Sequence, residues 1–460
     1  MENRIMRAFK RAAISAICGG IEKKTLRAFR RAAKSIPAYK KILAERGVRP
    51  NEIKTINDFS QKVPLLYKAD LFGKFSAGDL CVPGSIDSLA SAIVTSGTSG
   101  SFAYKVITKK EMDLEKQLID ASLNMFFNAS KIKTCVINVN PMGVTFVSSY
   151  PIIPTSVRSD IAWHVIKNFS ESFEQIIIIG DPNFIKKLIE EGEKTNFENV
   201  AEKLKFVIGA DWSPVSYFEY LKNTIPSEFF GNFGTTEIGW SIAFSDDSLH
   251  KLRKKIQSSK ELQKDIFGIE LKTAPELLLF DPTKTYIEKI KRDLSFSELA
   301  FTTLSETSMP FIRYATGDCG TILDTTTVNK ILSEKGNCQL AIKLPLPILA
   351  LSGRASNQAI NKNMALSAED IKQMLYSEYE IAQNITGDFR VYPFESFFKI
   401  DVQLKENVKA PDLYELIKKT ASDFFKENIS VDIYKYSDFP YNMVLDYESK
   451  WAYTKTMKKQ

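Results

Sequence analysis

The chain has 460 residues, 44% of them hydrophobic and 25% charged, the balance of a globular protein too long for one ordinary core. Its net charge of +7 is local, because residues 1–33 hold Arg4, Arg7, Lys10, Arg11, Lys23, Lys24, Arg27, Arg30 and Arg31 against Glu2 and Glu22; the remainder is neutral overall, which argues against nucleic-acid binding by the body of the protein. No apolar run approaches the roughly 20 residues of a membrane span. The two histidines, His164 and His250, exclude a histidine-rich metal site, and neither sits in a local motif for triad chemistry. Five scattered cysteines without a C-x-x-C pair read as reduced thiols, and the short apolar stretch Ala12–Cys18 is no secretory core, so a cytoplasmic protein is expected.

In chain order, the first segment contains a near-repeat, Arg7–Ala13 and Arg27–Ala33, each copy an amphipathic helical pattern, with Gly19-Gly20 as the breaker between them. Such a basic face is either solvated or drawn to an acidic partner or membrane surface. A helix-or-loop region from Lys54 to Phe75 follows, with Val63–Leu66 as an extended link. Strand and helix patterns then alternate. Strands are predicted at Ala92–Thr95, Lys133–Val139, Gln175–Ile179, Leu204–Ile208 and Glu228–Asn232, with helices at Lys110–Phe127, Asp160–Asn168, Asn183–Glu191 and Pro214–Leu221. Nearly all-apolar strands such as Ile176–Ile179 predict a buried parallel sheet, whose ligands gather at the carboxyl ends of the strands, near Thr95, Gly209 and Phe233. A strand-rich region from Pro275 to Leu351 includes Glu276–Phe280, Glu298–Thr303 and Ile348–Leu351. After Gly353, helix Ser367–Tyr376, strands Asp388–Tyr392 and Phe397–Gln403, helix Ala410–Glu427 and strand Val431–Tyr436 form a compact α+β unit.

The motif-bearing segments sit at the ends of these elements. Ile93-Val94 leads into Thr95, Ser96, Gly97, Thr98, Ser99 and Gly100, six hydroxyl or glycine residues whose backbone N–H groups and hydroxyls can converge on a phosphate, with Lys105 just beyond. The glycine spacing is not that of a P-loop ATPase, because Ser101-Phe102 stand where Lys-Ser is required. Gly209, Ala210 and Asp211 end one apolar strand. Asn232, Phe233, Gly234, Thr235, Thr236 and Glu237 end another. Arg313–Asp318 follows Pro310-Phe311-Ile312, and Gly353-Arg354 precedes the last unit.

Taken in this order, these motifs resemble the ANL superfamily of adenylate-forming enzymes, most closely its phenylacetate-CoA ligase branch. The likeness runs from about Arg27 to at least Leu375. It rests on Thr95–Gly100, with Ser99 where Thr is usual; on Phe233–Glu237, with Phe233 for Tyr; on Ser297–Asp318; and on Gly353-Arg354. The resemblance implies an α/β fold: a large N-terminal adenylation domain with parallel-rich sheets over residues 1–352, the first 35 a basic helical segment, and a small mobile α+β C-terminal domain over 353–460. It implies an AMP-forming acid-thiol ligase that makes an acyl-adenylate from ATP and a small carboxylic acid, expected to be aromatic, then passes the acyl group to CoA.

By the same resemblance, Thr95–Gly100 and Lys105 hold the β- and γ-phosphates and Glu237 ligates Mg²⁺. Thr235 and Thr236 belong to the same nucleotide-binding turn, with Thr236 contacting the α-phosphate. Asp318 accepts the ribose hydroxyls. Gly209, Ala210, Asp211, Phe233 and Gly234 bracket the adenine, and Arg354 approaches from the hinge. The acid pocket is expected between Asn138–Phe146, Gly209 and Phe230–Trp240. Two departures leave the acceptor open. Ser356-Asn357 replace an acidic pair in the C-terminal loop, and Asn363 stands at a glycine position. A carrier-protein thiol carrying phosphopantetheine, an enzyme cysteine or an amine are therefore alternatives to CoA, with an acidic carrier protein as a candidate partner; a non-catalytic nucleotide-binding relative is a third reading. The adenylating lysine is assigned to Lys450, with Lys455 and Lys458 as alternatives.

Overall fold

Ile176, Ile177 and Ile178 are all fully buried, Ile176 and Ile178 among Phe184, Leu188 and Phe206 on one face of a strand and Ile177 with Leu123, Phe127 and Val136 on the other. Both faces are covered by apolar side chains, so the strand shows no polar alternation. The computed structural model describes residues 20–95, 102–141, 143–193, 198–290, 297–362, 365–406, 408, 411–426, 429–440, 447, 453 and 454.

Strands β1 (Leu89–Val94) and β2 (Tyr104–Thr108) pair antiparallel as a separate two-stranded sheet. This corrects the expectation that Ala92–Thr95 joins the parallel strands. Within β1 only Ile93 is buried, and a strand with so little apolar surface cannot enter a sheet covered on both faces.

The main sheet has 11 strands. Its first part is parallel: β3 (Thr134–Asn138) lies between β4 (Ile152–Pro154) and β5 (Gln175–Gly180), followed by β6 (Leu204–Ile208) and β7 (Glu228–Thr235). At β7 the sheet turns antiparallel, running through β8 (Gly239–Ser245), β9 (Glu276–Phe280), β10 (Thr285–Ile290), β11 (Ser297–Thr303), β12 (Tyr314–Leu323) and β13 (Ile348–Arg354) in the spatial order β7-β8-β9-β13-β12-β11-β10. β7 reaches three residues beyond the predicted strand because Phe233 and Thr235 pair with β8 across a tight hairpin.

Helices Ser159–Phe169, Pro182–Glu193 and Val215–Thr224 cover one face of the parallel strands. The helix Lys109–Phe127 uses Leu123 and Phe127 against the other face, and it starts with a capping box in which Thr108 and Glu111 satisfy each other's backbone amides. The second basic copy forms the helix Gly20–Ser35. Leu26, Phe29, Ala32 and Ala33 enter the core, while Lys23, Arg27, Arg30 and Lys34 stay exposed. The first copy lies outside the described residues.

Beyond β13, β14 (Gln358–Ile360) and β15 (Ala365–Ser367) form a short antiparallel pair. A three-stranded sheet of β16 (Ile385–Pro393), β17 (Phe398–Leu404) and β18 (Ile429–Tyr434) then packs with helices Ala368–Leu375 and Pro411–Phe425 around a core of its own that includes Ile371, Phe389, Ile400 and Ile417. No described helix is long and apolar enough to cross a membrane. The fold is thus the mixed α/β arrangement expected, a large sheet unit followed by a smaller C-terminal sheet.

Candidate active site

The turn Thr236–Ile238 joins β7 to β8 and carries Glu237 at its tip. Gly234 makes the hairpin possible, since a Cβ there would lie 2.2 Å from the Trp240 carbonyl oxygen. Thr235 Oγ1 accepts from the Ile238 amide at 3.1 Å and closes the turn. Glu237 is 8% exposed, and its carboxylate accepts a 3.0 Å hydrogen bond from the Tyr314 hydroxyl. Burial, and after it the Glu237 charge, drives the Tyr314 hydroxyl far above its usual range, so it serves as a donor. Tyr314 is itself fixed where the extended link of the sequence returns: Leu66 accepts from the Ala315 amide at 2.8 Å and donates to the Arg313 carbonyl at 3.0 Å.

Thr95 stands at the base of the candidate phosphate loop. Its amide donates to the Ala103 carbonyl at 2.8 Å, and its hydroxyl accepts from both the Ala103 amide (2.9 Å) and Lys68 Nζ (3.1 Å). Partial burial lowers the Lys68 ammonium from its ordinary range, while Glu237 pulls it up and Arg354 pushes it down. Lys68 was not among the residues singled out from sequence. The only signal was its place directly after the extended link Val63–Leu66. Lys105 lies on β2 with its ammonium 3.1 Å from the Ile238 carbonyl oxygen and 3.7 Å from Glu115. Ser96, Gly97, Thr98, Ser99 and Gly100 lie outside the described residues.

Asp318 and Arg354 face each other across β12 and β13. Arg354 Nε donates to Asp318 Oδ1 at 3.0 Å, and Thr316 Oγ1 donates to Oδ2 at 2.7 Å. Asp318 holds the guanidinium above its usual range, with Asp211 and Glu237 adding to the effect. Gly353, at φ +107°, has Glu369 pressed against it: a Cβ would fall 2.1 Å from Glu369 Oε1. That carboxyl, pushed up to about 7 by burial, accepts from Asn357 Nδ2 at 3.0 Å. Asn357, which stands in place of an acidic residue, is thus the amide donor that a buried Glu369 needs.

Ala210 adopts φ +72°, a left-handed conformation rare for a side-chain-bearing residue, and it presents Asp211. Asp211 Oδ2 receives Lys372 Nζ at 2.6 Å and the Tyr453 hydroxyl at 3.0 Å, both from the C-terminal unit. The Phe233 ring is partly buried against Phe301, with centroids 6.0 Å apart. Of the expected acid-pocket residues, Phe146 and Phe230 share one apolar cluster with Phe127 and Tyr150, and Trp240 is half-buried on β8. Lys450, Lys455, Lys458 and Asn363 lie outside the described residues.

Among the described residues no group of three or more His, Cys, Asp or Glu side chains could hold a metal. Glu237, at the tip of the β7–β8 turn, offers a hard oxygen ligand. That fits Mg²⁺, which takes one or two carboxylates and draws the rest of its shell from phosphate and water. The arrangement offers an ammonium at Lys68 and carboxylate acceptors at Glu237 and Asp318.

No family model and no curated protein matches the sequence. Solved structures do match. A 2-hydroxyisobutyryl-CoA ligase in the postadenylation state, in complex with R3-HIB-AMP, superposes with a TM-score of 0.68 at 13% identity, over 95% of this chain and 88% of that one. The same ligase with 2-HIB-AMP and CoA in the thioesterification state gives 0.55 at 13% identity, over 95% and 89%. Fatty acyl-adenylate ligases from E. coli and L. pneumophila give 0.50 at 14% identity, over 80% and 68%. The chain has the fold of adenylate-forming acyl-CoA and acyl-adenylate ligases.

Proposed function

We propose that this protein is an AMP-forming ligase that activates a small carboxylic acid with ATP and passes the acyl group to CoA. The observation that carries this reading is that β12 ties two acidic residues of the motif set to fixed partners, Glu237 to Tyr314 at 3.0 Å and Asp318 to Arg354 at 3.0 Å, while Lys68 holds Thr95 at the base of the candidate phosphate loop. In this reading Thr95–Gly100 and Lys68 hold the β- and γ-phosphates, Thr236 contacts the α-phosphate, and Asp318 holds the ribose hydroxyls. Gly209–Asp211 and Phe233 flank the adenine. Glu237 holds Mg²⁺, which when bound supplies charge neutralisation on the phosphates. Attack of the substrate carboxylate on the α-phosphorus needs no protein nucleophile, so the chain contributes position and electrostatics.

Lys450 is the proposed donor to the reacting carboxylate and α-phosphate. Two described neighbours support this. Tyr447 packs on Phe184 with ring centroids 5.4 Å apart, and Tyr453 reaches Asp211 at 3.0 Å. Tyr447 and Tyr453 stand three residues to either side of Lys450 in the sequence, and Tyr453 meets a residue of the proposed adenine site. The apolar Phe146–Phe230 cluster supports an aromatic acid as substrate, in keeping with the phenylacetate-CoA ligase branch. We place the boundary between the two units at residue 353.

A second acceptor is favoured by one observation: Lys23, Arg27, Arg30 and Lys34 form an exposed basic stripe on the first described helix, suited to an acidic carrier protein bearing a phosphopantetheine thiol. Pyrophosphate release on mixing Mg·ATP with a panel of aliphatic and aromatic acids tests the first step. A panel that supports no release removes the ligase reading. Adding CoA, or a phosphopantetheinylated carrier protein, to a productive mixture then identifies the acceptor by the thioester formed.

A further inference from the structure

We propose that Lys105 and Glu115 are positioning residues: as a pair behind the β7–β8 turn, the lysine buried and the glutamate half-buried, they fix Glu237 in the orientation that receives Mg·ATP. The role rests on the adenylation reading above, but the geometry stands apart from it. Lys105 is 8% exposed, and its ammonium donates to the Ile238 carbonyl at 3.1 Å while lying 3.7 Å from Glu115 Oε1. The Ile238 amide donates to Thr235 Oγ1 at 3.1 Å. Both backbone groups of the residue that follows Glu237 are therefore held, one by the hairpin itself and the other by Lys105. Without the lysine a carbonyl in a buried turn would lack its donor.

The same helix governs the partner of Glu237. Glu111 and Glu115 are one turn apart on Lys109–Phe127. Glu111 accepts from Thr307 Oγ1 at 2.5 Å and from the Ser308 amide at 2.8 Å, in the loop that leads through Pro310 to Tyr314. Tyr314 then donates to Glu237. One acidic edge of a helix thus sets both ends of the Tyr314–Glu237 hydrogen bond, through Glu111 on one side and through Glu115 and Lys105 on the other. With its ammonium engaged by Ile238 and Glu115, Lys105 acts on the phosphate site through the turn rather than by touching a phosphate.

Two variants test this, Lys105→Met, which keeps the stem volume, and Glu115→Gln, which keeps an acceptor but removes the charge. Amide hydrogen exchange of residues 235–239 is measured in the ligand-free protein, and pyrophosphate exchange gives KM separately for ATP and for the acid. Lys105→Met is expected to speed exchange in the turn about 10-fold, with the rest of β7 and β8 unchanged, and to raise KM for ATP about 10-fold with KM for the acid unmoved. Glu115→Gln is expected to move both readouts the same way by less, and it carries the test if the methionine variant fails to fold. Folded variants with unchanged turn exchange and unchanged KM for ATP overturn the proposal, as does an equal rise in both KM values. A wild-type chain without pyrophosphate exchange on any acid removes the adenylation reading, while the amide exchange still decides whether the pair holds the turn.

Discussion

The Tyr314 hydroxyl donates to Glu237 across 3.0 Å and ties the start of β12 to the turn after β7. Tyr314→Phe keeps the ring, which packs on Phe311 with centroids 5.0 Å apart, and removes only this donor. Loss of one hydrogen bond to a buried carboxylate is expected to cost about 1–3 kcal/mol of stability. Because the carboxylate is the proposed Mg²⁺ ligand, kcat/KM for Mg·ATP should fall about 10-fold. Urea unfolding and steady-state kinetics at varied Mg²⁺ check the two effects. A variant as active as wild type across the Mg²⁺ range contradicts the role given to Glu237.

Asp318 receives Arg354 and Thr316 on its two oxygens. Asp318→Ala removes the acceptor proposed for the ribose and leaves the Arg354 guanidinium without its main counter-charge. KM for ATP is expected to rise about 10-fold or more, with KM for the acid changed by less than about 2-fold. Measuring pyrophosphate exchange while each substrate is varied in turn gives both values. A larger change for the acid than for ATP contradicts the ribose assignment.

Two of the motif-bearing segments' neighbours were legible because each is dictated locally. Ile176–Ile179 reads as a strand buried on both faces, and Phe233–Glu237 reads as a strand end running into a turn. Contacts between distant segments were not legible. Nothing around Lys68 announces that it meets Thr95, because that contact exists only once Leu66 pairs with Tyr314. The β1–β2 hairpin was misplaced because a hydroxyl-rich loop after two β-branched residues looks the same after a parallel strand or at a hairpin tip. Glu369 shows the same limit: its burial against Gly353 depends on how the helix Ala368–Leu375 seats, which no local pattern encodes.

Lys450→Ala should reduce adenylate formation about 100-fold or more, since it removes the charge proposed to meet the negative charge that develops on the reacting groups. Transfer from a supplied acyl-adenylate to the thiol should remain within a few-fold of wild type. Comparing pyrophosphate exchange with single-turnover thioester formation separates the two steps. Equal loss in both, or in neither, moves the role to Lys455 or Lys458.

Glu369 gives the hinge region a pH dependence with a definite sign. Its folded value, pushed up to about 7 by burial, lies above the ordinary 4.5 of the free side chain. Between those values the folded state binds more protons than the unfolded one. The stabilisation is therefore fully present below about 4.5 and is lost as pH rises through about 7. Glu369→Gln keeps a neutral side chain at every pH, so it should gain on wild type by on the order of 1–3 kcal/mol between pH 5 and pH 8. Urea midpoints for both proteins at the two pH values measure this. A difference that does not grow with pH would show that Glu369 is already ionised in the fold.

Lys372 joins the C-terminal helix Ala368–Leu375 to the large unit through Asp211 at 2.6 Å and the Trp212 carbonyl at 3.1 Å, with its ammonium 4.2 Å from the Tyr453 ring centroid. The Lys372 side chain is 6% exposed and that of Asp211 24%, so Lys372→Met breaks a largely buried pair from one side while the Tyr453 hydroxyl and the Trp212 amide still donate to Asp211. A loss of about 3–5 kcal/mol is expected. Local docking is supported independently, because Ser216 donates to the Gln373 carbonyl at 2.8 Å and Thr273 to Asp370 at 2.6 Å. The C-terminal unit also keeps its own core around Ile371 and Phe389, so the variant should stay folded at moderate temperature. The kinetic consequence is then specific. Asp211 belongs to the proposed adenine site, and the same contact holds Tyr453, three residues from Lys450, against it. Adenylation should fall about 10-fold, with the transfer step from a supplied adenylate spared, because the roles proposed for Asp211 and Lys450 belong to the first step. Loss of transfer in equal measure would mean that the pair serves the fold of the chain and not the placing of Lys450.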